Sequence, residues 1–227
     1  MLFAVDGILS RSGLAFGFRW LHIIMAILWI GLLYYFNFVQ VPGLAAYGDK
    51  AEARSVTVAN IGKRALWYFR WSALLTFVFG LLITGATKDY YSGNFGSSSR
   101  GLAITTGMLL GTIMLLNVWG VIWRNQKVVI ANAVNVLNGQ PADPNAAAAG
   151  RRALMASRQN AIFSVAMVWF MVYTSHGPLT SIAELSGAKI GIYWLITIVL
   201  IAGLELNALG LMPWKFEANK GLNIIYD

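Results

Sequence analysis

The sequence predicts an all-α integral membrane bundle of five transmembrane helices, with the N-terminus outside and the C-terminus in the cytoplasm. Three observations predict it. Apolar runs of about 20 residues, the length a helix needs to cross the hydrocarbon, recur along the whole chain. Hydrophobic residues make up 58% of the 227 residues and charged ones only 11%, with a mean hydropathy of +0.63. Soluble domains carry about 25% charged residues, so this chain has too little polar surface to cover itself in water. Lys and Arg, finally, flank the apolar runs, where topology uses them.

The first span covers residues 14–41 and is expected to close at Pro42-Gly43. It is long and lacks a small-residue cleavage site, so it reads as a retained span, not a signal peptide. Further spans are expected over 65–84, 102–123, 158–175 and 190–212, with Pro213 ending the last because it cannot continue a hydrogen-bonded helix. The segments after spans one, three and five hold eleven basic residues, among them Lys50, Arg54, Lys63, Arg64, Arg124, Lys127, Arg151, Arg152, Lys215 and Lys220. The other side holds five, Arg11, Arg19, Lys88, Arg100 and Lys189, and Arg70 lies just inside span two. The richer side is expected to be cytoplasmic. Trp67, Trp71, Trp119, Trp123 and Trp214 fall at that inner boundary and Trp20 and Trp194 near the outer one, as interfacial belts. Only Trp29 and Trp169 remain near mid-bilayer.

The inner connections read as helical. Asp49 is placed to cap a short amphipathic segment running to Asn60 on the membrane surface. Span three continues as WRNQKVVIANAVNVLN, turns at Gly139-Gln140-Pro141, and a helix restarts at Asp143-Pro144 with an N-cap and a first-position proline. This gives a single membrane-embedded domain over 1–227 with a cytoplasmic helical hairpin around 124–157. The outer DYYSGNFGSSSRG stretch reads as irregular, and Gly107 to Gly111 is a GxxxG helix-contact motif.

The net charge of +8 does not point to nucleic acid, because the basic residues form no patch interleaved with stacking aromatics. The absence of cysteine excludes disulfides, thiolate metal sites, iron–sulfur clusters and covalently attached c-type haem. Phosphate loops and nucleophile–base motifs are absent as well.

Two candidate sites remain. The only two histidines, His22 in span one and His176 at the end of span four, both fall on the outer side. Two imidazoles at similar depth on different helices are what a haem needs of its axial ligands. Either histidine alone also has a plain reading, as a cap or a hydrogen-bonding neighbour. Trp29 lies seven residues after His22 and Trp169 seven before His176, about two turns inward on antiparallel helices. They are expected to floor the pocket, and Ala26, one turn below His22, to leave room for the macrocycle edge. The second site is a polar cluster of the inner half: Arg70, Asn117, Glu205 and Asn207. A carboxylate at such depth is costly and normally has a partner, so an Arg70–Glu205 pair is expected. A proton or substrate site opening to the cytoplasm is the functional alternative. Met25, Met108, Met167 and Met171 are haem-ligating residue types that more often serve packing.

At these segments the chain resembles the membrane domain of the urate hydroxylase (membrane-bound urate oxidase) family. RWLHIIMAILWIG around His22, WYFRWSALLTFVFG in span two, NVWGVIWRNQKVVI from Asn117 and TSHGPL around His176 carry the likeness. The resemblance implies a quinone- or cytochrome-linked redox setting in the inner membrane, and it carries over His22, Trp29, Asn117, Trp119, Gln126 and His176. Family members also have a C-terminal cytochrome c, of which these 227 residues, without cysteine, carry no part, and Ser72 stands at the family's acidic position in span two.

The functional expectation is therefore an inner-membrane b-type haem protein in electron transfer, with His22 and His176 ligating the haem iron. One histidine as ligand and the other as a substrate-side base is a variant of it. A periplasmic cytochrome c or a respiratory complex is the expected partner, in a setting of membrane lipid. A non-catalytic accessory subunit of a larger complex is the first alternative. A urate hydroxylase-like enzyme, or one like the small helical protoporphyrinogen oxidases, is the second.

Overall fold

A computed structural model describes residue 7 and residues 9–87, 95–177 and 185–211. Lys88, Met212, Pro213, Trp214, Lys215 and Lys220 lie outside the described residues. The described residues are helical almost throughout, in five long rods: α1 (Arg11–Ala46), α2 (Ala51–Ala86), α3 (Ser99–Leu137), α4 (Ala146–His176) and α5 (Gly187–Ala208). Among the described residues, α1, α2, α3 and α5 are long and apolar enough to cross a membrane. The first two have 36 residues and the third 39, which at 1.5 Å per residue is about 54 to 58 Å. Hydrocarbon about 30 Å thick cannot contain them, so each overhangs the bilayer.

This overhang corrects three of the expected boundaries. α1 does not stop at Pro42-Gly43; it continues to Ala46 through a π-helical segment, Tyr35–Gln40. The wider i→i+5 turn there, in which the Val41 amide reaches the Phe36 carbonyl, accommodates the proline's missing N–H and its ring. The amphipathic stretch after Asp49 is not a separate surface helix. It is the first turns of α2, continuous through a second π segment, Val58–Gly62, into the apolar run. Asp49 contributes its main-chain carbonyl to Ala51 N–H, at 2.8 Å, and not a side-chain cap. The restart after the 138–145 turn falls at Ala146, with Asn145 as N-cap. Asp143 accepts the Asn145 N–H through Oδ1, so the local turn delays the helix by two residues.

The rods pair as two antiparallel hairpins. α1 and α2 pack along their lengths, turning through Gly48, whose φ of +57° favours glycine. At the far end Arg11 Nε donates to the Ala86 carbonyl at 3.2 Å. α3 and α4 form the second hairpin, turning at Gly139 (φ +70°). It is fastened at one end by Arg152 Nε to Asn125 Oδ1 (3.2 Å) and at the other by Arg100 Nε to the Thr174 carbonyl (2.9 Å). Gly107 of the GxxxG pair serves this contact. A Cβ on it would meet Phe170 Cβ and Met171 Cε at 3.3 Å, whereas Gly111 faces open space. Beyond the apolar zone the first turns of α2 pack on the end of α3, joining the hairpins.

α4 is the most polar rod and falls short of the other four in hydropathy, yet it runs beside the whole of α3. It is central, touching α1, α3 and α5, and it buries Ser157, Gln159, Asn160 and Ser164. Around it sits the core: Trp29, Leu33 and Phe36 of α1, Phe69 and Ala73 of α2, Met114 and Val118 of α3, Phe163 and Met167 of α4. Phe36 and Phe69 meet edge to face at 5.5 Å. α5 is peripheral, burying only Ile201 and Ala208 among its residues.

Candidate functional site

His22 sits on the α1 face turned toward α2. Its Nδ1 lies 2.7 Å from the Thr76 carbonyl, and Thr76 Oγ1 is itself bonded one turn back, to the Ser72 carbonyl. One turn beyond Thr76 the ring rests on Gly80. A Cβ there would stand 3.2 Å from Cε1 and 3.3 Å from Nδ1, so a larger residue would press the imidazole from its seat by a few tenths of an ångström. With Nδ1–H donating to a carbonyl, Nε2 is left as the basic nitrogen and the ring is fixed in place. Nε2 has no hydrogen-bond partner among the described residues.

The heights expected for the histidines agree with the packing. Tyr34 Oη and Ser164 Oγ are 2.9 Å apart across α1 and α4. Tyr34 is twelve residues after His22 and Ser164 twelve before His176, so antiparallel helices in this register place both histidines level, and likewise Trp29 and Trp169. The faces do not agree. Seven residues fall about 20° short of two turns, so each tryptophan shares its histidine's face. On α1 that face turns inward, where Trp29 is 1% exposed. On α4 it turns outward, where Trp169 is 54% exposed and stacks on Tyr173 at 4.4 Å, and His176 is exposed. The two tryptophans therefore form no common floor, and the two histidines do not oppose each other across one space. The cause is pairing: in its N-terminal half α1 is committed to α2, while its bonds to α4 are further along, at Tyr34–Ser164 and Asn37–Ser157. Ala26 is half-buried on α1. Between α1 and α4 an apolar groove of about 760 Å³ opens sideways, lined by Tyr34, Phe38, Ala161, Val165, Trp169 and Phe170.

The expected polar cluster forms in part. Asn117 begins a third π-helical segment, Asn117–Ile122, on α3. Its Nδ2 donates to Asn160 Oδ1 at 2.9 Å and to Glu205 Oε2 at 3.2 Å, and Asn160 Nδ2 donates to the Met114 carbonyl at 2.9 Å. Three helices are thus joined through two buried amides and a carboxylate. Asn207 is half-buried on the same helix as Glu205 and its side chain makes no hydrogen bond among the described residues. The expected Arg70–Glu205 pair is not made. Asn117 takes the carboxylate, and the Arg70 guanidinium lies over Trp123 with Cζ 3.8 Å from the ring centroid, while α5 packs on α4, not on α2. Of the remaining family-matching positions, Trp119 packs edge to face on Trp71 at 5.5 Å, Gln126 is half-buried on α3, and Ser72 bonds the Phe69 carbonyl at 3.1 Å.

Sequence reasoning misses Thr76, Gly80, Asn160 and Gln159. Gln159 is 1% exposed, and both Oε1 and Nε2 are enclosed without a partner. The signal for Asn160 and Gln159 was present, since buried amides in hydrocarbon are as costly as the carboxylate at 205. No family model matches the chain, and no curated protein or solved structure matches it either.

Proposed function

We propose that this chain is a multi-pass protein of the bacterial inner membrane that holds haem b at His22 and takes part in electron transfer. Five helices cross, with the N-terminus outside and the two hairpin turns in the cytoplasm. α4 is counted among them because it accompanies α3 from end to end, so any bilayer that contains the one contains the other. Reporters inserted near Gly139 are expected to read cytoplasm and one near Gly96 periplasm. A periplasmic signal at Gly139 would invert or miscount the spans.

The observation that carries the haem reading is the Nδ1 contact to the Thr76 carbonyl, which leaves Nε2 of a partly buried imidazole free on a membrane helix. That is the arrangement of a ligating histidine held by its outer-shell partner. A bound haem would supply one-electron redox chemistry at this height. His22 is the fixed ligand, and His176, level with it but on an outward face, serves as the substrate- or partner-side group. Protein purified in mild detergent from haem-replete cells should show a sharp visible haem spectrum that shifts on reduction. His22→Ala should abolish it and His176→Ala should leave it in place. Loss in both variants would restore the bis-histidine arrangement. Haem-free, well-folded wild-type protein would sink the proposal and favour the accessory-subunit reading. That reading has one observation of its own: α5 exposes Ile192, Leu195, Ile196, Val199 and Leu200 to its surroundings and touches the bundle mainly through α4.

A further inference from the structure

Among the described residues Arg70 is a cation without an anion. Its guanidinium is stacked on Trp123, with Trp119 5.7 Å away, and Nε is enclosed with no acceptor. Its terminal nitrogens have none among the described residues, and no carboxylate of those residues forms an ion pair with it. The Trp119 indole N–H is likewise enclosed and unpartnered. An arginine on a membrane helix ordinarily snorkels to water or finds a counter-charge. This one has no counter-charge among the described residues, and its guanidinium rests against the Trp123 ring. Stacking leaves the planar edge of the guanidinium free, the edge that binds two oxygens of a phosphate at once.

The surroundings have the same character. Lys63 and Trp67 share the Arg70 face of α2, two turns and one turn toward the hairpin end. Lys127 Nζ lies 6.0 Å from the Trp123 ring, and Trp67 and Trp71 are 50% and 38% exposed, as interfacial aromatics are. We infer that Arg70, stacked on Trp123 and flanked by Lys63 and Lys127, binds a phosphate oxyanion, presented by an anionic phospholipid headgroup of the cytoplasmic leaflet. Basic pockets between helices at this level are where such headgroups are held. The inference rests on the membrane placement and is independent of haem.

The test is thermal melting of the full chain in neutral detergent, titrated separately with phosphatidylglycerol, phosphatidylcholine and inorganic phosphate. Phosphatidylglycerol is expected to raise Tm saturably and phosphatidylcholine to have no effect. Arg70→Gln should weaken the apparent phosphatidylglycerol affinity about fivefold or more, and Arg70→Lys should recover only part, because a point charge lacks the fork. Arg151→Gln, which removes the same charge from an exposed position, should leave the affinity unchanged. Equal protection by inorganic phosphate, lost in Arg70→Gln, would assign the same site to free phosphate. If Arg70→Gln does not fold, Arg70→Lys decides: full wild-type affinity overturns the site. An unchanged affinity in Arg70→Gln, or an equal loss in Arg151→Gln, overturns it as well, since the effect would then be one of net charge.

Discussion

Trp29→Ala is expected to destabilise the bundle by about 3 kcal/mol, and Trp169→Ala by less than about 1 kcal/mol, although the two stand at the same height on neighbouring helices. Trp29 is 1% exposed within the core of Leu33, Phe36 and Phe69, so its removal leaves a hole that fixed helices cannot close. In lipid the transfer part of a large-to-small substitution falls away, because the surroundings are as apolar as the core. The lost packing contacts remain, which puts the value at the lower end of the usual range of about 3–5 kcal/mol for aromatic-to-alanine changes. The enclosed indole N–H has no acceptor and so adds no hydrogen-bond loss, and Trp29→Phe should cost under about 1.5 kcal/mol for the same reason. Trp169, at 54% exposed, loses its stacking on Tyr173 and an edge contact with Phe170, its helix neighbours. Unfolding in mixed micelles with increasing anionic detergent gives both numbers. Equal costs at the two positions would mean that the outward face of α4 is covered in the native assembly.

This contrast marks where the sequence is readable and where it is not. Residue spacing gives height: the Tyr34–Ser164 bond confirms the antiparallel register in which His22 meets His176 in level. Spacing also keeps Trp29 on the face of His22, and Trp169 on that of His176. It does not say which neighbour a face meets, because that depends on which helices pair, and the closeness of α1 to α2 is a tertiary fact. Gly80 is the residue that permits it at His22, and a glycine in an apolar helix carries no such label in one sequence.

Hydropathy finds α1, α2, α3 and α5 because lipid-facing side chains dominate them. It understates their length, since the overhanging turns are amphipathic and the π-helical segments absorb Pro42 and the approach of Gly62 to Gln40 without a break. Polarity misleads at the start of α4. Gln159 and Asn160 follow Arg158 and read as the edge of a span, whereas the partnership with α3 carries them into the bundle. The cost rule that singles out Glu205 finds a polar group correctly and assigns its partner wrongly. A carboxylate needs a donor but not a charge, and Asn117 supplies the donor.

Asn160 and Gln159 are consecutive amides, both buried, and their replacement by leucine is expected to have different signs. Asn160→Leu removes the acceptor for Asn117 Nδ2 and the donor to the Met114 carbonyl, both at 2.9 Å. Each orphaned group costs about 1–3 kcal/mol in an enclosed site. Asn117 retains Glu205, which absorbs part of the first loss, and Met114's carbonyl also receives the Asn117 backbone N–H. A net loss of about 2–3 kcal/mol follows, larger than the typical single hydrogen bond between membrane helices because one amide serves two partners. Gln159→Leu removes an amide that has no partner to lose, and it places an apolar side chain where 1% of the residue is exposed. It is expected to be neutral or to stabilise by about 1–2 kcal/mol. The same unfolding titration reads both. A large loss in Gln159→Leu would show that its amide holds an ordered water or a polar ligand in the native protein, since a buried group with no partner cannot be missed by one that needs none.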